Sequence, residues 1–210
     1  LGGWFITASF EDNRPEKIGR FGWLHFDSTG SVRDTVQPPT SFLAEETPDG
    51  IAPGRIRTVD RRGAVLTTVP GPNRLWRYHR RGGVDVMQWP GEPVAYHVDE
   101  RADMQVAEDA MRKLFGLGPR PLPERKEPAH RILTDRSEFV WAHIAGIGVR
   151  IPADELPKGE GPLTIKWRDK EQWAAFSSDG ALQFIVDVPT GSRVLDRDGT
   201  RLLGMIADAD

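Results

Sequence analysis

The chain has no cysteine, only two tyrosines beside seven tryptophans, and nearly balanced charge, with 31 acidic against 28 basic side chains. Without cysteine there are no disulfides, no thiolate nucleophile and no Cys-ligated zinc or iron–sulfur centre. No stretch approaches the roughly 20 consecutive apolar residues that a membrane-spanning helix needs, so membrane insertion is not expected. A net charge of −3 gives no overall pull toward a polyanionic partner. What remains is 210 residues with 38% hydrophobic and 28% charged side chains, enough to bury a substantial core without a metal or other cofactor. The first residue is Leu1. A processed or trimmed N-terminus is therefore expected, and the compartment stays open.

β-branched and aromatic runs dominate the first half. Trp4 to Phe10, Phe21 to Phe26 and Val32 to Val36 read as strands separated by turn residues, a meander. Pro38 to Gly54 has little periodicity and reads as a long surface loop. Strands resume near Arg55 to Val59, Ala64 to Val69, Leu75 to Arg81, Val84 to Trp89 and Val94 to Val98. Gly82-Gly83 reads as a two-residue hairpin loop, and counting back from it pairs Arg80 with Asp85, Tyr78 with Met87 and Trp76 with Trp89.

Met104, Ala107, Met111 and Leu114 recur at spacings of three and four, which predicts an amphipathic helix from about Ala102 to Phe115 covering a sheet or barrel end. Asp103 would cap its start and Gly116 would end it. The prolines of the next segment mark a stiff linker. Beyond it, strands are expected at Phe139 to Ile144, Val149 to Ile151, Leu163 to Trp167, Trp173 to Ser177, Leu182 to Val188, Arg193 to Leu195 and Arg201 to Ile206. The Asp179-Gly180 hairpin would set Trp173, Ala175, Leu182, Phe184 and Val186 on one face, with Phe176 and Ile185 on the other. Apolar residues on both faces predict a strand pair covered on both sides. Asp198-Gly199 would pair Asp196 with Arg201 and Leu195 with Leu202. The fold expected is mainly β: an antiparallel barrel or sandwich ending in a helix over 1–116, a proline-rich linker over 117–129, and a smaller antiparallel β unit over 130–210.

Chemistry concentrates in one segment. Arg55, Arg57, Arg61, Arg62, Arg74, Arg77, Arg80 and Arg81 fall within 27 positions of the basic stretch from Arg55 to Arg81. Within it, cations interleave with Trp76, Tyr78 and His79. Flat rings stack ligands and guanidinium groups neutralise anions, so Trp76, Arg77, Tyr78, Arg80 and Trp89 are the candidate ligand-binding set. A strand with one solvated and one core face produces the same alternation. His97 and Asp99, two apart on an expected strand, could share a face as a base with its orienting acid or as two metal ligands; no third ligand is evident, and no metal site is expected. Asp135, Ser137 and His143 contain the residue types of a nucleophile–base–acid set but match no catalytic signature. Gly146 and Gly148 lack the remainder of a phosphate loop and point to a bulge or a break in a strand.

The opening Leu1-Gly-Gly-Trp-Phe-Ile-Thr-Ala-Ser-Phe10 resembles the start of lipocalin-like barrels, which implies a barrel whose base the tryptophan closes. The sequence departs from that pattern by continuing with a whole β segment after its helix. With no complete catalytic motif, the leading expectation is a non-enzymatic binding protein. Its partner would be a small molecule, protein or peptide held on an aromatic and arginine-lined sheet. The rivals are an RNA or single-stranded DNA binder acting through Arg55 to Arg81, and a β-barrel isomerase or cyclase using His79, His97 or Asp99.

Overall fold

The computed structural model describes residues 3–10, 20–36, 57–68, 71–135, 137–156, 161–189, 192–198 and 200–206. Strands β1 (Gly3–Phe10), β2 (Arg20–Asp27) and β3 (Val32–Val36) form a three-stranded antiparallel sheet. A four-stranded meander follows, made of β4 (Arg57–Val59), β5 (Val65–Thr68), β6 (Arg74–Tyr78) and β7 (Val84–Gln88). Helix α1 (Val98–Leu114) precedes a third sheet of β8 (Ala129–Thr134), β9 (Val140–Ile144), β12 (Gln172–Phe176) and β13 (Leu182–Asp187). The hairpin β10 (Gly148–Arg150) and β11 (Trp167–Asp169) is inserted between β9 and β12. Strands β14 (Ser192–Asp198) and β15 (Arg201–Ile206) close the described chain as a second hairpin.

The sheets pack face to face in chain order. Trp23 and Val36 of the first sheet meet Val65, Val59 and Tyr78 of the second. The opposite face of the second sheet buries Leu66, Leu75 and Met87, with Trp89 beyond β7, against Ala129, Ile132, Val140, Ala142, Ala174 and Phe176 of the third. The third sheet then covers Val194 and Leu202 with Trp141, Trp173, Ala175 and Phe184. This is a sandwich-like mainly-β architecture. The third sheet is apolar on both faces because both are covered, as its sequence predicts. Among the described residues the strands do not close into a barrel, so the barrel alternative gives way to stacked sheets. Of the lipocalin-like opening, Leu1 and Gly2 lie outside the described residues.

One turn design recurs. In the loops starting at Asp27, Asp60, His79 and Ser177, the first residue donates its N–H to the carbonyl four positions on. Its own carbonyl accepts the N–H of the glycine three positions on: Gly30, Gly63, Gly82 or Gly180. Each of these glycines has a positive φ, as a type I turn followed by a left-handed residue requires. The Asp135 loop has the same bonding but carries Glu138, at φ 64, in the glycine position. A side chain there costs about 1–2 kcal/mol. The Arg62–Glu138 ion pair is exposed and returns little. Glu138→Gly is therefore expected to raise stability by about 1 kcal/mol, read as a higher denaturant midpoint with an unchanged slope.

Several expectations need correction. Val94 to Val98 is not a strand; only a bridge from Ala95 to Arg125 forms, and Val98 begins the helix. The inserted strand is Trp167–Asp169 rather than Leu163 to Trp167. β8 was not anticipated, because a proline-rich run leads into it and His130 and Arg131 interrupt its apolar pattern. The helix starts at Val98, capped by His97 with Glu100 completing a capping box, rather than at Asp103. Nor does it cover a sheet with its apolar stripe: Leu114 and Phe115 are 71% and 68% exposed, and Glu100 is its buried residue. The proline-rich segment lies along the helix. Gln105 bonds both Arg120 O and Leu122 N, and Arg101 bonds Leu122 O.

Candidate functional site

The Gly82-Gly83 hairpin decides where the candidate binding residues point. Both glycines have positive φ, and the loop comprises three residues, Arg80-Arg81-Gly82, closed by His79 and Gly83. The pairs are therefore Tyr78 with Val84, Arg77 with Asp85, Trp76 with Val86 and Leu75 with Met87. The expected pairing of Trp76 with Trp89, Tyr78 with Met87 and Arg80 with Asp85 is three residues out of register. An odd slip exchanges the faces.

The five candidates consequently divide between two faces. Trp89 is buried in the core 6.2 Å from the Phe176 ring. Arg77 shares that face. It is 4% exposed, donates Nη1–H to Ser178 O at 2.7 Å, and lies 3.5 Å from Asp60 and 3.9 Å from Asp85. It ties the turns of the second and third sheets together. Trp76 and Tyr78 occupy the other face, their ring centroids 6.0 Å apart, with the Arg74 guanidinium 4.9 Å above Trp76. Arg80 reaches from the turn to Asp34 of the first sheet at 2.6 Å.

Between these two sheets lies a cleft of about 440 Å³. Val36 and Val65 supply apolar wall, Tyr78 supplies a ring, and Thr35, His79 and Arg80 supply polar groups. His79 is held by Asp85 at 2.7 Å. The volume suits a small organic ligand.

The other candidates do different work. His97 caps α1, accepting the Asp99 N–H on Nδ1 at 3.3 Å and stacking on Trp167 with centroids 5.6 Å apart. It and Asp99 therefore sit at a helix start instead of on a strand face. Among the described residues no group of three or more His, Asp or Glu side chains could hold a metal. Asp135 accepts the Phe139 N–H within its turn, whereas His143 lies along β9 stacked on Trp173 at 5.1 Å, so Asp135, Ser137 and His143 do not converge as a catalytic set. Gly146 and Gly148 are required by crowding. A Cβ on the first would collide with the Lys170 backbone, and one on the second with the Glu100 carboxylate.

A polar cluster that the sequence analysis did not anticipate lies where the long connections 89–128 and 145–171 meet. Lys126, its side chain 2% exposed, sits 2.5 Å from both Glu100 and Asp169. Asp169 also accepts from His130 Nε2 at 2.6 Å and from Gly146 N–H at 3.2 Å. Burial alone would raise the Asp169 carboxyl, but hydrogen bonds from His130 and Lys126 overcome it and hold the group at about 2. His143, its ring 5.3 Å from that of His130, is pushed down to about 4 by burial and by the neighbouring imidazole. It is neutral at physiological pH. The cluster joins residues up to 69 positions apart, Glu100 to Asp169, and carries no local sequence signature.

No known protein family matches the sequence, and no curated protein does. Among solved structures, a streptogramin B lyase is 13% identical with a TM-score of 0.35, over 89% of this chain and 46% of that one. The chain thus spans about half the length of that lyase. A protein of unknown function from Bacteroides caccae is 10% identical with a TM-score of 0.26, covering 88% of this chain and 68% of the other. Likeness at this level carries no functional argument.

Proposed function

We propose that the chain is a small-molecule-binding protein whose ligand, an aromatic anion, sits in the cleft between the first and second sheets. The reading rests on one observation: a space of about 440 Å³ bordered by the Tyr78 ring, the Val36 and Val65 side chains and the Arg80 guanidinium. An aromatic body would pack on Tyr78 and the valines, while its acidic group would meet Arg80. Trp76, next to Tyr78, would report occupancy through its fluorescence. Arg77 and Trp89 support the site from the core side without touching the ligand. The arrangement favours a compact ligand over a nucleic acid, because Arg77 and Arg62 of the basic segment are already engaged by Asp60 and Glu138.

Titration with 8-anilinonaphthalene-1-sulfonate, an aromatic anion, tests the reading. A saturable rise in dye fluorescence is expected, weakened about tenfold or more in Tyr78→Ala, a loss of about 1.4 kcal/mol, and several-fold in Arg80→Gln. Dye binding that is equal in both variants and the parent would overturn it.

A further inference from the structure

We propose that His130, oriented by Asp169, is a general base that activates water against a small uncharged ester at the end of the molecule where the long connections meet. The site is separate from the cleft of Tyr78 and Arg80. The two five-residue turns of the second sheet and their counterparts in the third contact one another at one end, through Arg77 with Ser178 and Arg62 with Glu138. Glu100 and Lys126 of the connection 89–128 and Gly146 and Asp169 of the described part of 145–171 gather around the carboxylate that holds His130.

His130 is the unpaired residue of a bulge in β8, where the register with β9 shifts between Ala129 and Arg131. A bulge re-aims a side chain. Ala129 and Ile132 go into the core while the His130 side chain stays 40% exposed. Asp169 holds Nε2 at 2.6 Å, which leaves Nδ1 as the proton acceptor. Three donors fix the carboxylate itself, the His130 Nε2–H, the Lys126 ammonium and the Gly146 N–H, so the imidazole is held by a partner that does not move. Among the described residues neither nitrogen of His130 is bonded to a hydroxyl, and the chain has no cysteine. The proton it accepts therefore comes from water or substrate. Ile147, 74% exposed, follows Gly146, whose N–H bonds the same carboxylate, and would supply apolar surface for an uncharged substrate.

The step is balanced without a co-reactant. As the water oxygen bonds to the ester carbonyl carbon, Nδ1 takes its proton. Collapse of the adduct breaks the bond to the alkoxy oxygen, which leaves with the electron pair and takes the proton back from the imidazolium. Acid and alcohol result, and His130 is restored.

Hydrolysis of p-nitrophenyl acetate by the whole chain provides the test. The expected result is turnover above buffer that falls about 100-fold in His130→Gln, where the ring is exposed and the fold is not at stake. It should also fall in Asp169→Asn, checked for folding by circular dichroism, and be unchanged in His97→Gln. It should be slowed in deuterium oxide, as rate-limiting proton transfer requires. Turnover no faster than buffer, an undiminished rate in His130→Gln, or a rate indifferent to deuterium oxide would each overturn the proposal. Dye binding at the cleft is independent of all three.

Discussion

Lys126→Ala is expected to destabilise the protein by about 3–5 kcal/mol, enough to consume a large part of the stability of an ordinary fold. The side chain is 2% exposed and lies between Glu100 and Asp169, themselves 5% and 13% exposed. Removing it strands two carboxylates in a poorly solvated space and weakens the junction of α1, the proline-rich segment and the β10–β11 hairpin, which also meet through Gln105, Arg101 and the His97–Trp167 stack. Coulomb attraction alone would not predict so large a loss, since a buried ion pair roughly cancels its own desolvation. The cost arises from leaving the partners behind. Urea denaturation of Lys126→Met and of Lys126→Met/Glu100→Gln separates the two effects: the double variant should recover part of what the single one loses. A single variant within about 1 kcal/mol of the parent would show that the carboxylates find water.

Phe176→Ala should cost about 3–5 kcal/mol. Its ring is fully buried where the second and third sheets meet, packed against Trp89, and Phe176 pairs with Leu182 across the hairpin. Because that core draws on residues before and after the proline-rich segment, the loss should appear in a single unfolding transition shifted to lower denaturant. Two transitions, only one of them shifted, would mean that residues 1–116 and 130–210 hold together independently.

Strand positions were largely legible because alternation and turn residues act locally. Trp173, Ala175, Phe184 and Val186 do share a face, as the Asp179-Gly180 spacing predicts. Leu182 does not: the bulge at Ala175 and Phe176 carries it to the Phe176 side. Register was less legible. The glycine pair at 82 and 83 fits a two-residue loop as well as a three-residue one, and the sequence around it does not state which. The same ambiguity misplaced the last hairpin, where Asp198 rather than Asp196 pairs with Arg201. The first error, being odd, moved rings to the wrong side of a sheet, whereas the second, an even slip, changed partners without changing faces. The Lys126 cluster was invisible for another reason. Its members come from a helix start, a proline-rich strap, a strand bulge and an inserted hairpin, and nothing short of tertiary structure sets them side by side.

Glu138 has a consequence for the history open to this chain. Among the described residues the other turns of this kind keep a glycine at that position, while the Asp135 loop carries a side chain there, and that side chain reaches across to Arg62 of the neighbouring sheet. A conformational penalty within one loop thus accompanies an exposed ion pair between two sheets. Substitutions at Arg62 and at Glu138 should consequently be judged as a pair, since relieving the loop also releases the ion pair.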